Sequence, residues 1–341
     1  MVSRHGRSTF TLNNRPSIIS RGSVVGKTEG EGPLKDFFDK IYYDSTAGQK
    51  TWEKSESYFQ QQAFLEALER GQLHPQDIDV MFSGDLLNQC ISSSFGLLEF
   101  NVPYLGQYGA CSTMAQTLLL SSLFVNCGIA DIAAAVTASH FCSAERQFRF
   151  PLEYGGQRPP SAQWTATAAG AAVIAKEGNA PFIKAVTFGT VEDLSINDQN
   201  NMGAAMAPAA CATLSQFFRD TYSSPEDYDL ILTGDLGFVG TSLLRDLMEK
   251  EGFVLGENYN DCGLLIYDRC RQQMEAGASG CGCSAAVASG HVLPRIKSGE
   301  LKNVLLVSTG ALMSPTSIQQ GETIPGVAHL VCYSSQKGGI F

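Results

Sequence analysis

The sequence predicts an α/β fold built by duplication: two pseudo-twofold-related βαβ halves whose mixed sheets sandwich buried helices. Three observations predict it. Segment 75–86, PQDIDVMFSGDL, returns 150 residues later as segment 225–236, PEDYDLILTGDL, with six of twelve positions identical and most of the others conservative. A second correspondence, at a shift of 172, links GACS at 109–112 with CGCS at 281–284; each opens an apolar segment that leads to an apolar strand. Strands alternate with helical patterns along the whole chain, the signature of βαβ units.

Taken in order, the N-terminal stretch is basic. Arg4, Arg7, Arg15, Arg21 and Lys27 all precede the first acid, Glu29. Such a segment suits an anionic surface or an acidic partner, and it equally suits a solvated tail. It contains no apolar run of the kind a secretory signal needs. Gly22 to Thr28 resembles a phosphate loop, but three residues separate its glycines where the motif needs four, and Glu29 to Pro33 breaks the helix that should follow. Nucleotide binding is therefore not expected there. Phe59, Ala63, Phe64, Ala67 and Leu68 fall at helical spacing before Gly71, and the strand of the first repeat follows, ending in Gly84-Asp85.

Residues 115–138 carry a single charge, Asp131, and are long enough to span a bilayer. Gln116, Asn126 and Gly128 make a poor lipid-facing surface. The better reading is a helix from Ser112 to about Cys127, stopped by Gly128, and a strand Ile132–Thr137. A helix this apolar beside an apolar strand belongs inside a layered α/β protein. A Gly- and Pro-rich loop with Arg146, Arg149 and Arg158 follows. In the second half, Pro208 opens a helix carrying Cys211, Leu214, Phe217 and Phe218, and the repeat strand ends in Gly234-Asp235. The extra 22 residues there are read as a helix, Thr241–Glu251, and a strand, Gly263–Tyr267. A helical segment Ala285–Ser298 and a strand Val304–Ser308 complete the half. The expected division is 1–33, a basic segment with the first strand region; 34–204, the first half; and 205–341, the second.

Of 341 residues, 44% are apolar and 17% charged, enough to build a large core. The formal charge of −10 argues against a nucleic-acid binder. Ten cysteines in so long a chain form no dense disulfide framework and imply free thiols in a reducing, intracellular compartment. Cys262, Cys270, Cys281 and Cys283 are separated by seven, ten and one residues, unlike paired zinc knuckles, so neither metal nor cofactor is expected.

Cys111 is the first residue with chemical promise, because a helix N-terminus favours the thiolate. An ordinary buried cysteine would read the same way in sequence. His140 follows the strand Ile132–Thr137 at its carboxyl end, where α/β folds place ligand-contacting loops. An arginine near it would suit a carboxylate. The helix N-termini at Ser112 and Ser284, with His140 and an arginine at the rim, would form a pocket for a small dianion. The candidate ligand-contacting set is Cys111, Ser112, His140, Arg146, Asp235, Gly282, Cys283 and Ser284.

Several segments carry a family resemblance: GDLLNQ at 84–89, GACST at 109–113, AERQFR at 144–149, EYGG at 153–156, MAPAA at 206–210, DLILTGD at 229–235, NDCGL at 260–264, GCGCS at 280–284 and TGALMSP at 309–315. Through them the chain resembles the thiolase and ketoacyl-synthase superfamily and, within it, the stage V sporulation protein AD family. Acyl-transfer enzymes of that superfamily use two histidines, or a histidine and an asparagine, from second-half loops. Here those loops read Gly234 to Phe238 and Gly280 to Cys283, without either residue. The resemblance therefore implies a non-catalytic protein that binds dipicolinic acid (pyridine-2,6-dicarboxylate), alone or as its calcium chelate. It further implies transport of that compound into the forespore and its release at germination. Association with membrane subunits at the spore inner membrane is also implied, and by analogy a homodimer. The alternative is a Cys-dependent acyltransferase or condensing enzyme with Cys111 as nucleophile and Asp235 or His140 as base.

Overall fold

The structure, a computed structural model, describes residues 2–148 and 158–338. The chain opens with a hairpin, β1 (Val2–His5) and β2 (Thr9–Leu12), then β3 (Ser17–Gly26), one turn of helix α1 (Lys27–Gly30) and β4 (Lys40–Tyr42). Next come α2 (Trp52–Gly71), β5 (Val80–Gly84), α3 (Ile91–Leu97), β6 (Tyr104–Gly106), α4 (Thr113–Asn126), β7 (Ile132–Ser139) and α5 (Phe141–Phe148). The first half closes with β8 (Trp164–Thr165) and β9 (Ala168–Ala175). The second half contains β10 (Phe182–Thr187), β11 (Val191–Glu192), α6 (Met202–Thr221), β12 (Leu230–Thr233), α7 (Gly237–Lys250) and β13 (Tyr259–Asp261). It continues through α8 (Cys262–Leu265), β14 (Ala278–Ser279), α9 (Cys281–Val287), α10 (Leu293–Lys297), β15 (Asn303–Ala311), α11 (Pro315–Gln319) and β16 (Gly326–Ser334).

The duplication is written in the sheet order. The first half runs β6-β5-β7-β9-β3 and the second β13-β12-β15-β16-β10. In each, the first three strands are parallel and the last two join antiparallel. The two repeat segments occupy equivalent places, each a short 3-10 turn feeding β5 or β12. Helix α2 covers the outer face of the first sheet and α6 that of the second, while α4 and α9 touch strands of both. The result is an α-β-α-β-α stack with one core between the sheets and one under each outer helix.

Small residues make the central layer possible. Strands β7 and β9 are alanine-rich and almost entirely buried. A Cβ at Gly170 of β9 would overlap the Ala285 carbonyl of α9, and one at Gly282 of α9 would overlap the Ala168 carbonyl of β9. Helix and strand thus approach backbone to backbone, as glycine alone permits.

The predicted apolar helix and strand are α4 and β7, and none of the described helices is long and apolar enough to cross a membrane. Three expectations are corrected. The predicted strand Gly263–Tyr267 is instead a turn of helix; the strand lies earlier, at β13, because Asp261 ties its end down. The Asp261 carboxylate accepts from Thr233 Oγ1 (2.7 Å) and from the amides of Leu236 (2.8 Å) and Gly237 (3.0 Å). The helix expected to open at Pro208 begins at Met202, where the Asn201 side chain caps it, and proline is absorbed in its interior. The expected helix 285–298 starts at Cys281 and loosens into a π-turn at Ala288–Val292 just before Pro294. The boundary expected between residues 204 and 205 lies within α6, and β10 joins the strands of the two halves by pairing with both β16 and β3.

Candidate functional site

The loop before α4 and the start of α9 meet at the centre of the stack. Ala110 adopts a left-handed conformation (φ 50°), uncommon for a residue with a Cβ, and this turn presents Cys111. Gly310 of β15 packs against the same loop, where a Cβ would lie 3.2 Å from the Cys111 amide nitrogen and 3.0 Å from that of Ser112. Cys111 is 5% exposed, and its Sγ stands 3.8 Å from Ser279 Oγ.

Asp235 organises what surrounds the thiol. Its carboxylate accepts from Ser279 Oγ (3.1 Å), the Gly280 amide (2.8 Å) and Thr309 Oγ1 (2.8 Å), joining β12, β14, α9 and β15. Burial pushes its pKa up to about 6 against these hydrogen bonds. Burial, and secondarily the charge of Asp235, drives the Cys111 thiol well above its ordinary value. Cys111 is therefore held as a neutral thiol, the opposite of an activated nucleophile.

A cavity of about 40 Å³ opens at Cys111. Its walls are apolar, including Leu86, Phe148, Met202 and Met313, and its polar atoms come from Thr165, Ser279 and Glu145. Glu145 is paired with Arg158 at 2.6 Å, so this acid brings no uncompensated charge.

Of the sequence-derived candidates, Cys111 lines this cavity and Asp235 lies behind Ser279, within reach of the thiol through it. The others are placed elsewhere. Ser112 is buried and donates to the Gly109 carbonyl (2.7 Å). The Gly282 amide donates to Ser139 Oγ (3.1 Å), the Cys283 amide to the Gly280 carbonyl (3.0 Å), and Ser284 Oγ to the Cys281 carbonyl (3.3 Å). At the paired helix ends, where the dianion site was expected, these groups are engaged within the protein. The start of α9 already holds an anion, the Asp235 carboxylate on the Gly280 amide, and the Gly282 and Cys283 amides donate within the protein.

His140 is likewise turned away from the cavity. It is buried beside Trp52 and Phe59, its Nε2 is 2.8 Å from the Ser45 carbonyl oxygen, and its Nδ1 accepts from the Cys142 amide (3.1 Å). Burial lowers its pKa, keeping it neutral. Arg146 is ion-paired with Glu53, and the Arg158 guanidinium lies over Phe141 (5.2 Å) and Trp164 (4.5 Å). Arg149 lies outside the described residues. No histidine borders the cavity: the rings of His5, His291 and His329 meet Thr11, Arg295 and the Gly189 amide, and His74 lies in the turn before β5.

The sequence reading missed Ser279, Thr165, Glu145 and the wall residues. Ser279 immediately precedes the GCGCS segment, and that adjacency was the available signal. The first-half counterpart of Asp235, Asp85, is also an anchor: it accepts from the Ser93 amide (2.7 Å) and Oγ (2.6 Å) and the Leu87 amide (2.8 Å). Among the described residues no three His, Cys, Asp or Glu side chains converge as a metal site, and all ten cysteines are free thiols.

Comparison with known proteins agrees with this architecture. Residues 6–334 match the family model for stage V sporulation protein AD. The stage V sporulation protein AD of Bacillus subtilis (strain 168) is 43% identical over 333 residues, covering 98% of each chain. Among solved structures, 3-oxoacyl-[acyl-carrier-protein] synthase III of Aquifex aeolicus VF5 superposes with a TM-score of 0.58 at 15% identity, over 94% of this chain and 99% of that one. Cerulenin-bound OleA of Xanthomonas campestris superposes with a TM-score of 0.63 at 13% identity, over 94% and 97%. At such identities these two likenesses speak for the fold alone. The chain belongs to the stage V sporulation protein AD family of sporulation proteins, built on the fold of the thiolases and type III ketoacyl synthases.

Proposed function

We propose that this protein is a non-catalytic carrier that binds dipicolinate in the cavity at Cys111 and serves its movement into the forespore and its release at germination. The observation that carries this reading is a neutral, buried thiol facing an apolar cavity that no histidine reaches. A nucleophile needs a base, and none is offered beyond the buried carboxylate that raises the thiol pKa. Among the described residues the cavity also has no free cation, since Arg158 is committed to Glu145. A bare dianion would be desolvated there without compensation, whereas the calcium chelate carries no net charge. The calcium complex is accordingly the form bound. At about 40 Å³ the cavity is smaller than a pyridine dicarboxylate, so binding requires α5, which carries Phe148 and Glu145, to draw back.

With no described helix able to span a bilayer, residence at the spore inner membrane would rest on membrane subunits of the same transport system. The homodimer would form at β6. This edge strand is exposed, and Leu105 on it and Phe95 and Leu98 in the segment leading to it are 44%, 67% and 73% exposed, apolar surface of the kind soluble proteins normally cover.

The test is calorimetric titration of dipicolinate with and without calcium against the wild type, Ser279→Ala and Cys111→Leu. Saturable binding that needs calcium and weakens in both variants supports the carrier. Well-folded protein that binds nothing contradicts it. One observation favours a second reading: Ser279 Oγ links the Asp235 carboxylate to the thiol, so Asp235 could act through that hydroxyl as the base of an acyltransferase. A stoichiometric acyl-Cys111 adduct with turnover of a thioester would establish that reading instead.

A further inference from the structure

A second cavity lies on the outer face of the second half. A groove of about 430 Å³ runs between α6, the end of α7, the β10–β11 turn and the tip of the N-terminal hairpin. That size is within the range of small-molecule sites. Its floor is one face of α6, with Pro208, Cys211, Ala212, Ser215, Gln216 and Arg219 recurring at helical spacing.

The charges around it are unevenly matched. Arg219 is paired with Glu251 at 2.6 Å and closes one end. Arg7 and Glu192 also line the groove, and among the described residues neither has an oppositely charged partner; the Glu192 carboxylate accepts only from Thr190 Oγ1 (2.6 Å). The backbone that carries each is held in place. Glu192 lies on β11, which pairs with β16. The hairpin tip that carries Arg7 packs on α6 through Gly6 (φ 55°), where any Cβ would overlap the Asp220 carboxylate. The Arg4 guanidinium donates to the Gly6 (3.2 Å) and Arg7 (2.7 Å) carbonyls, which fixes the tip further. The apolar part of the wall includes Phe188, whose ring lies tilted against Phe10 with centroids 4.9 Å apart, and Leu247.

We infer that this groove is a second binding site, for a small zwitterion with an apolar body, of the chemistry of a free aliphatic α-amino acid. Its carboxylate meets Arg7, its ammonium meets Glu192, and its side chain lies against Phe188 and Leu247. An acid or an amine alone would satisfy one charge and leave the other in a partly desolvated groove. The site is independent of the Cys111 cavity.

The experiment titrates L-leucine into the full chain, with N-acetyl-leucine and leucinamide as single-charge controls. The proposal expects saturable leucine binding and weaker binding of both controls. Arg7→Gln and Glu192→Gln should each weaken leucine by ~10-fold with an unchanged melting temperature. Ala212→Phe, which fills the groove, should remove binding. Absence of saturable leucine binding up to ~10 mM overturns the proposal, as does equal binding of N-acetyl-leucine or indifference to all three substitutions.

Discussion

Ser279 Oγ donates to the Asp235 carboxylate at 3.1 Å and lies 3.8 Å from Cys111 Sγ, so one hydroxyl connects the buried acid to the cavity thiol. Removing the acid strands three donors from Ser279, Gly280 and Thr309. Asp235→Ala should therefore cost ~2–4 kcal/mol at pH 7, and Asp235→Asn, which keeps one acceptor oxygen, clearly less. Urea denaturation of the two variants checks the ordering; equal costs would contradict the anchoring role.

The thiols should separate by reactivity. Cys127 and Cys270 are exposed, whereas Cys111 is buried with its pKa driven upward. Iodoacetamide at neutral pH should label the first two and leave Cys111 largely unmodified by peptide mass spectrometry. Preferential labelling of Cys111 would mark it as an activated nucleophile and count against the carrier.

Stability should carry a pH signature from Asp261. Burial raises its pKa from an ordinary 3.8 to about 7. Across that interval the folded protein retains a proton that the unfolded chain has lost, so this group's contribution to stability falls as pH rises. Asp261→Asn lacks that slope. Its melting temperature relative to wild type should climb between pH 4 and about 7 and then level off. His329, depressed to about 4 by burial, contributes the opposite slope, losing stability as pH falls from 6.5. The variant difference, rather than the wild-type curve, is the informative quantity. A flat difference would mean that Asp261 does not titrate in this range.

The central layer should not accept side chains. Gly282→Ala or Gly170→Ala places a Cβ on a facing carbonyl and should cost ~3 kcal/mol or more, or prevent folding. Gly128→Ala meets open space and bears only the strain of its φ of 73°, ~1 kcal/mol. Comparable losses at all three positions would refute the close helix–strand approach.

The β6 edge can be tested by mass. Phe95→Asp with Leu98→Asp should convert a dimer to a monomer in light scattering without loss of helicity. A monomeric wild type would remove the dimer from the account.

Much of the fold was legible because duplication left its mark in sequence. The GDL repeats did locate β5 and β12, and the apolar run 115–138 resolved into α4 and β7. What escaped detection depends on contacts between distant residues. The strand at β13 is fixed by Asp261 reaching the amides of Leu236 and Gly237, which no local pattern reveals. His140 sits after a strand, where ligand residues often lie, yet its ring is taken by Trp52, Phe59 and Ser45 from segments some 80 to 95 residues earlier. The start of α9 looked like an anion site and is one, but its anion is Asp235 of the protein itself.

The most direct test of the carrier is dipicolinate titration, with and without calcium, against wild type, Ser279→Ala and the groove-filled Ala212→Phe. The account predicts calcium-dependent, saturable binding that weakens in Ser279→Ala and is unchanged in Ala212→Phe. Loss of binding in Ala212→Phe with Ser279→Ala unaffected, or no binding by folded wild type, would contradict it.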